Sequence, residues 1–472
     1  MVSSPHFFLS LPSLIQANSL SHSSPFVASI KSAASTIAFG LVKYYTGNNT
    51  GDVPGNLPDP YFWWEAGAMF GTLIDYWALT GDSTYNAITT QAMLHQAADT
   101  RDFMPLNQTR TLGNDDQGFW AMSAMTAAEL KYPDPPESEP QWLALAQAVF
   151  NQWASRWDAD SCGGGLRWQI FQFNNGFNYK NSISNGCFFN LASRLARFTG
   201  NQTYADWASK IFDWEEKMGL ITADYGVVDG VTVDLNTKQC KNKVDIQWTY
   251  NSGIYLHGSA AMYNFTDGNP LWKKRVDGLL QSTIKTFYSK PTAAGAGGNG
   301  NAVMVEQFCE DRKFCDNDQK SFKGYLTRWM ARTTQLAPYT YDAIHPLLEN
   351  SAAAAAKACS GSPSAAEFRG IPGTACGFMW TTGAYDGLAG VGEQMNALSA
   401  VSTLLVDKTA APVTAGTGGT SKGNPSGGSG PQRTDRGAFE TRPITTGERA
   451  AAGILTGAML LGVIGGVTFV IL

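Results

Sequence analysis

A recurring junction between apolar segments constrains the fold of this chain more than any other feature. It reads LTGDSTY at 79–85 and FTGNQTY at 198–204, and a looser copy, FTDGNPLW, stands at 265–272. Glycine ends a helix in the left-handed conformation, and the Asp or Asn beside it caps the start of the next helix. Each junction therefore predicts two helices joined by a tight turn.

Twelve segments between Ser29 and Asp407 have the apolar spacing and the Gly, Pro, Asn or Asp boundaries of helices. The irregular distance between the junctions disfavours a solenoid of fixed repeat. Six hairpins with long aromatic and amide-rich loops at one end predict an all-α fold, the (α/α)6 barrel. The predicted helices are 29–45, 62–79, 82–98, 115–130, 140–156, 184–198, 202–218, 249–264, 270–288, 321–336, 340–358 and 386–405.

One long loop departs from this helical pattern. Residues 219–248 contain the strand-like YGVVDGVTVDL, which predicts a small β-hairpin-like insertion. The formal net charge of −5 gives no reason to expect a nucleic-acid partner. The 14 Trp, 17 Tyr and 25 Phe supply ring surface of the kind on which sugars stack, although a large helical core also absorbs many of them.

The two ends of the chain carry address signals. Residues 450–472 are uncharged and long enough to span a bilayer, and the Gly/Ser/Thr-rich stretch 408–449 before them predicts a flexible, disordered linker. Small residues, a polar spacer and a hydrophobic tail match a GPI-attachment signal, with two candidate attachment sites, the Gly/Ser cluster near Gly427 and Gly437; a single-span tail anchor is the alternative. Residues 1–28 form an atypical or truncated signal segment, because Pro12 interrupts the apolar run and no Lys or Arg precedes it. The helical domain then spans 29–407.

Further features favour export through the secretory pathway. The seven cysteines lack the paired spacing of zinc sites, so we expect no metal and no cofactor. Their separation favours the local disulfides Cys309–Cys315 and Cys359–Cys376 and leaves one odd thiol. The sequence has four N-glycosylation sequons. Their acceptor asparagines are Asn48, Asn107, Asn201 and Asn264.

Two adjacent acids in LGNDDQGFW, residues 112–120, are the strongest candidates for chemistry. Asn114 as N-cap and Gln117 three residues later suggest a capping box, which places Asp115 and Asp116 in the first turn of a helix. Acids in a first turn also simply complement the helix dipole. The neighbouring glycines and aromatic residues favour a ligand site instead.

Paired carboxyl groups suit the hydrolysis of a sugar acetal. At a separation of about 5 Å, one carboxylate attacks the anomeric carbon while the other carboxyl protonates the leaving oxygen. Repulsion between two such groups keeps one of them protonated, so that the pair divides the two roles.

At these residues the sequence resembles family 76 of the glycoside hydrolases, the endo-α-1,6-mannanases, and in particular their fungal GPI-anchored cell-wall members. The resemblance covers 29–405 and the tail. It is carried by LPDPYFWWEAGAMFGTLIDYW, LGNDDQGFWAMSAMTAAE, NYKNSISNGCFFNLASRLAR and QWTYNSGIYLHG. It implies an (α/α)6 fold and retaining cleavage, with Asp115 as nucleophile and Asp116 as general acid/base.

The matching motifs also supply candidates for substrate binding. Trp64 has the alternative of being a core ring, and Lys180 that of neutralising a structural carboxylate. The candidates in these motifs are Trp63, Trp64, Gln117, Lys180, Asn181, Asn185, Tyr250 and Asn251, and two further candidates stand outside them, Arg328 in GYLTRWM and Trp380 in CGFMWTTG.

The resemblance implies a substrate with α-1,6-mannose linkages, in wall mannan or in GPI glycans. A covalent intermediate permits transfer to water or to another sugar, such as a β-glucan acceptor. We expect a monomer. The alternatives are a non-catalytic glycan-binding wall protein and a helical scaffold for protein partners. The intact aspartate pair argues against a binding protein, because binding alone needs no adjacent carboxylates.

Overall fold

The computed structural model describes residues 24–288 and 302–429, and isolated residues after 430. The chain divides into two units, Met1–Ser429 and Gly430–Leu472. The predicted signal segment up to residue 23 lies outside the described residues. Nearly all of 430–472 does as well, including the end of the predicted linker and the hydrophobic tail.

Within the described ranges the chain forms twelve α-helices, as the sequence predicts. The three glycine junctions end or separate helices with left-handed glycines, and Asn201 caps the helix after the second junction by accepting a hydrogen bond from the Thr203 N–H at 3.0 Å. The helices are α1 Ser24–Val42, α2 Trp63–Thr80, α3 Asn86–Ala97, α4 Asn114–Glu129, α5 Trp142–Arg156, α6 Ser182–Thr199, α7 Gln202–Met218, α8 Thr249–Phe265, α9 Pro270–Phe287, α10 Phe322–Leu336, α11 Tyr341–Ala358 and α12 Val391–Ser402.

The even-numbered helices form a closed inner ring. Each packs against the next in the order α2, α4, α6, α8, α10, α12, and α12 returns to pack against α2. Each odd-numbered helix packs outside an inner partner. Helix α2 is buried on nearly every face, as an inner position requires. The predicted (α/α)6 barrel is confirmed.

The non-helical insertion is a three-stranded antiparallel sheet. Its strands are β1 Tyr179–Asn181, β2 Val228–Val233 and β3 Cys240–Gln247, in the order β1-β2-β3. The strand-like segment of the sequence forms β2, and β1 comes from a different loop, so the insertion has one strand more than the predicted hairpin. Asn181 pairs with Gly230 across the first two strands.

Three disulfides hold the loops. The two predicted local pairs, Cys309–Cys315 and Cys359–Cys376, are confirmed, and Cys162–Cys240 ties a third loop to β3. The odd thiol is Cys187, which is buried. Disulfides of this kind form in an oxidising compartment, which indicates the secretory pathway.

The first helix extends the barrel towards the N-terminus. Residues 25–42 are apolar and long enough to cross a membrane by composition, with mean hydropathy 1.4. However, Ile30, Ile37 and Leu41 are fully buried, and α1 packs against α12. Helix α1 thus begins at Ser24, a few residues before the predicted start of the domain at 29, and the domain bounds stay a prediction.

A strap, residues 408–429, follows the last inner helix and lies on the barrel. The Val413 N–H donates to the Glu129 carbonyl at 2.8 Å, and the Asn151 side chain donates to the Gly427 carbonyl at 2.7 Å. The prediction of a flexible linker is wrong for this part of 408–449. Its small residues permit close contact instead, since a Cβ on Gly428 would lie 2.3 Å from the Ala148 carbonyl oxygen.

Replacing Ser421 with alanine is expected to destabilise the barrel by about 1–2 kcal/mol. The Ser421 hydroxyl accepts a hydrogen bond from the Leu143 N–H at 3.0 Å, which is one of the unpaired donors at the start of α5. Thermal unfolding measures the loss. Ser426→Ala is the control, because the Ser426 hydroxyl is exposed and donates to nearby Asn424. Equal melting temperatures for the two variants would contradict a bound strap.

Candidate active site

A cleft opens at the end of the barrel where the inner helices begin. Its volume is ≈ 210 Å³, and it is bounded by the first residues of inner helices, by β1 and β2, and by the loops before α6 and α10. Its lining residues are Trp64, Asp115, Asp116, Phe119, Trp168, Tyr179, Asn181, Ile183, Asp229, Tyr250, Asp318 and Phe322.

The aspartate pair stands in the first turn of α4, as predicted, but the capping differs. Gly113 is the N-cap, and its N–H donates to Asp116 Oδ2 at 2.7 Å. The predicted capping box of Asn114 and Gln117 is therefore wrong by one residue. The Asn114 side chain is used elsewhere, since its amide donates to the Arg167 carbonyl at 2.8 Å.

The two carboxyl groups are held by different donors. Asp115 is 8% exposed; its Oδ2 accepts from the Asn181 side-chain amide at 3.3 Å and its Oδ1 from the Asp116 N–H at 3.1 Å. Asp116 is only half-buried and accepts from Gly113. A Cβ on Gly113 would lie 2.3 Å from Asp115 Oδ1, so only glycine lets the helix start approach this carboxyl group.

Burial raises the pKa of both aspartates. The pKa of Asp116 rises to about 6. The pKa of Asp115 rises well above its usual value because of burial and the neighbouring charge of Asp116, although the amide of Asn181 opposes this shift. Repulsion between the two neighbouring charges therefore disfavours the form in which both carboxyl groups are ionised.

Two further carboxyl groups line the cleft. Burial and the charges of Asp316 and Asp116 raise the pKa of Asp318 to about 7, and burial raises that of Asp229. Sequence reasoning identified neither residue as a site residue. Asp229 lies in the strand-like segment that marked the insertion, whereas Asp318 had no local signal. No Lys, Arg or His stands among the lining residues of the described chain, so the cleft is acidic.

Three of the predicted substrate-binding residues join the pair in the cleft. Asn181 contacts Asp115 directly. The Trp64 ring lines the cleft, and it also packs on the Phe119 ring with the ring centroids 4.6 Å apart. This position fits both alternatives from the sequence, a substrate-binding ring and a core ring. The Tyr250 ring stacks on Phe322 with centroids 3.7 Å apart.

Lys180 does not line the cleft. It is fully buried, donates to the carbonyls of Ser161 at 2.8 Å and Gly164 at 2.5 Å, and pairs with Asp158 at 3.2 Å. Side chains alternate along a strand, so Lys180 points away from the face that carries Asn181. It neutralises a structural carboxylate, which is the alternative that the sequence left open.

Two other candidates belong to the hydrogen-bonded layer under the cleft. Gln117 is fully buried and donates to Gln152 at 2.6 Å. Asn185 accepts from the Leu166 N–H at 2.7 Å and so fixes the loop before β1.

The remaining predicted candidates also lie outside the cleft. The Trp63 indole N–H donates to a core glutamine, Gln96, at 2.7 Å. Arg328 pairs with buried Asp75 at 2.9 Å. Trp380 and Asn251 are fully buried. Trp63 and Asn251 lie in motifs that also encode the packing of the inner helices, so these motifs alone did not separate site from core.

The four sequon asparagines are exposed. The Asn264 side chain is engaged, because it accepts from Arg197 at 2.8 Å and donates to the Leu336 carbonyl at 3.3 Å. Glycosylation at all four positions stays a prediction. Among the described residues, no group of three or more His, Cys, Asp or Glu side chains is arranged to hold a metal ion.

A helical barrel with two adjacent carboxyl groups in an aromatic cleft contains the groups that a glycoside hydrolase needs for catalysis. Comparison with known families agrees with this class, since the model of glycosyl hydrolase family 76 matches residues 29–416. The chain belongs to that family.

Several relatives share most of the chain. It is 47% identical to the mannan endo-1,6-alpha-mannosidase DCW1 of Saccharomyces cerevisiae, over 92% of each chain. It is 39% identical to DFG5 of the same yeast, over 94% of this chain and 92% of the relative. A crystal structure of Dfg5 from Chaetomium thermophilum in complex with glucosamine is 43% identical, with TM-score 0.79, and covers 90% of this chain and 100% of that one.

A more distant structure has the same fold. It is the alpha-1,6-mannanase GH76A of Salegentibacter sp. HEL1_6, described as an inactive variant with two consecutive aspartates changed to asparagine, in complex with alpha-1,6-mannotriose. The TM-score is 0.60 at 16% identity, over 80% of this chain and 99% of that one.

Proposed function

We propose that this glycoside hydrolase is a retaining mannan endo-1,6-α-mannosidase that acts on α-1,6-mannose linkages of wall mannan or GPI glycans. The observation that carries the proposal is the pair Asp115 and Asp116, which line one cleft and both have a raised pKa. Two relatives that cover over nine-tenths of the chain carry this activity in their names, which supports the substrate class. The inactive double-aspartate variant of the Salegentibacter enzyme supports an essential role for such a pair.

The geometry supports Asp115 as nucleophile and Asp116 as general acid/base. Asp115 lies deeper and is oriented by two donors, so its oxygen forms the bond to the anomeric carbon as the bond to the leaving oxygen breaks. Asp116 is closer to solvent, gives its proton to the leaving oxygen and later takes one from the acceptor. Burial and the charge of Asp116 raise the pKa of Asp115, which opposes this division. The proposal therefore requires that bound substrate favours the proton on Asp116.

The acidic lining supports neutral or amine-bearing sugars over anionic ones. The glucosamine in the Chaetomium relative is such an amino sugar. Both observations favour a GPI glycan, which contains glucosamine, as a substrate beside neutral mannan. A β-glucan acceptor in place of water would make the enzyme a transglycosidase.

Mass spectrometry of the products from a defined α-1,6-mannan oligomer, with and without a β-glucan oligomer, tests this function. Shorter mannan oligomers are expected, with the α configuration of the new reducing end kept in the first product. A mannan–glucan adduct would identify transfer. An intact oligomer that nevertheless binds to the protein would support the non-catalytic glycan-binding alternative and contradict the proposal.

We also propose that the chain is held at the outer face of the plasma membrane by a GPI anchor. Gly427, one of the two candidate attachment sites, lies in the strap and is bound by Asn151. This favours attachment near Gly437, outside the described residues. Release of the native protein from membranes by a phosphatidylinositol-specific phospholipase is expected; retention in the membrane would favour the tail anchor.

The activity is expected to fall as the pH drops below about 6. Burial raises the pKa of both carboxyl groups, that of Asp116 to about 6, so acid protonates the pair and removes the carboxylate that attacks the sugar. The measurement is kcat/KM against pH, with a melting curve at each pH to separate unfolding from titration. An acid limb near pH 4, the ordinary range of an aspartate, would contradict the assigned electrostatics.

A further inference from the structure

The carboxyl group of Asp229 faces the cleft from the small sheet. Asp229 is the second residue of β2 and lines the cleft together with Tyr179 and Asn181 of β1. Gly230, its neighbour, pairs with Asn181, the residue that donates to Asp115. The sheet therefore places the Asp229 carboxyl group close to the catalytic pair.

Two fixed donors orient this carboxyl group. The Tyr179 hydroxyl donates to Oδ2 at 2.6 Å, and the Trp248 indole N–H donates to Oδ1 at 2.9 Å. A carboxylate oxygen accepts about two hydrogen bonds. Each oxygen of this half-buried side chain thus keeps one acceptor position beside the cleft.

The backbone is shaped for this contact. A Cβ on Gly230 would lie 2.7 Å from the Tyr179 hydroxyl oxygen and 2.7 Å from the Lys180 carbonyl oxygen. Glycine is needed here for close approach, because the Tyr179 ring crosses over this residue to reach Asp229. The backbone at Gly230 therefore accommodates the contact between Tyr179 and the Asp229 carboxyl group.

An ion pair does not account for Asp229. Among the described residues, the groups that lower its pKa are Tyr179 and Trp248, and no cation does so. A half-buried carboxylate without a cation is costly unless its oxygens find donors. Tyr179 and Trp248 supply one donor to each oxygen, and because Asp229 lines the cleft, a bound ligand can supply the others.

We propose that Asp229 is a specificity-determining residue that accepts hydrogen bonds from two neighbouring hydroxyl groups of the mannosyl unit bound beside the catalytic pair. The inference rests on the proposed function. Two acceptor positions on one rigid carboxylate match two adjacent hydroxyls of a pyranose ring. A site built in this way rejects a sugar that lacks one of the hydroxyls, because a buried acceptor is left unpaired.

Asp229→Asn and a panel of monodeoxy α-1,6-mannotetraoses test the inference. For the wild type, deoxygenation at the two hydroxyls that contact Asp229 is expected to lower kcat/KM about 10- to 100-fold. Asp229→Asn is expected to lose a similar factor on the parent sugar and to show little further loss on those two analogues. Asp245→Asn, an exposed carboxyl change on β3, is the matched control and should behave as the wild type.

Tyr179→Phe keeps the inference testable if Asp229→Asn does not fold. It removes one of the two donors that orient Asp229, so it should weaken discrimination against the same two analogues. Unchanged discrimination in the folded variants would overturn the inference. The outcome differs from failure of the proposed function, in which Asp115→Asn and Asp116→Asn remain active on the parent sugar.

Discussion

Replacing Asp115 or Asp116 with asparagine is expected to abolish measurable hydrolysis of α-1,6-mannan. Loss of a nucleophile costs about 10⁴- to 10⁶-fold in kcat, and loss of a general acid costs about 10²- to 10⁴-fold. Asparagine keeps the shape of the side chain but can neither attack the anomeric carbon nor donate an acidic proton. Product release from mannan oligomers, measured by mass spectrometry, gives the rates.

The melting temperature controls for misfolding. Both carboxyl groups have a raised pKa in the folded protein, so at neutral pH their ionisation opposes folding. The asparagine variants should therefore melt at or above the temperature of the wild type. Full activity in either variant would contradict the assignment of the pair, whereas loss of mannan binding together with activity would favour a glycan-binding protein.

Azide distinguishes the two roles within the pair. In Asp115→Ala, azide should attack the anomeric carbon of an activated α-mannoside directly and give the β-mannosyl azide. In Asp116→Ala it should attack the covalent intermediate and give the α-mannosyl azide. Proton NMR of the azide products reads the configuration. The reverse pattern would mean that Asp116 is the nucleophile and Asp115 the general acid/base.

The helical architecture could be predicted from the sequence because the signals that end and cap helices are local. Glycines at 81 and 200 end helices in the left-handed conformation whatever lies around them, and the following polar residue caps the next helix. The position of the strap on the barrel could not be predicted in this way. Its small, polar composition is the same for a free linker and for a segment that lies flat on α5, and only the tertiary contacts of Val413 and Ser421 separate the two.

The residues of the candidate site also fall into those that the local sequence predicts and those that it does not. The aspartate pair was found because two adjacent acids at a helix start are locally unusual. Asp229 and Asp318 were missed because the barrel brings them to the cleft from strands and loops far along the chain. Conversely, Arg328 lies in a matching segment but turns into the barrel interior to pair with Asp75. A motif preserves buried and exposed side chains together, so it does not report which of them face a ligand.

Lys180 offers the largest expected effect on stability. Replacing it with alanine should lower the free energy of unfolding by about 3–5 kcal/mol, because the carbonyls of Ser161 and Gly164 each lose a charged, buried donor worth about 1.5–3 kcal/mol. Asp158 loses one of its two cationic partners and keeps Arg167 at 2.7 Å. Thermal and urea unfolding measure the loss, and KM for mannan oligomers below the melting temperature should stay within about twofold of the wild type.

Lys241→Ala is the matched control, because Lys241 forms an exposed ion pair with Asp234 on the same sheet. An exposed pair contributes about 0–1 kcal/mol, so this variant should unfold close to the wild type. The contrast separates a loop-holding lysine from a sugar-binding one. A residue that touches no ligand affects binding only through the structure it stabilises. A Lys180 variant of unchanged stability with a strongly raised KM would therefore mean that Lys180 contacts the substrate, which would contradict its buried position.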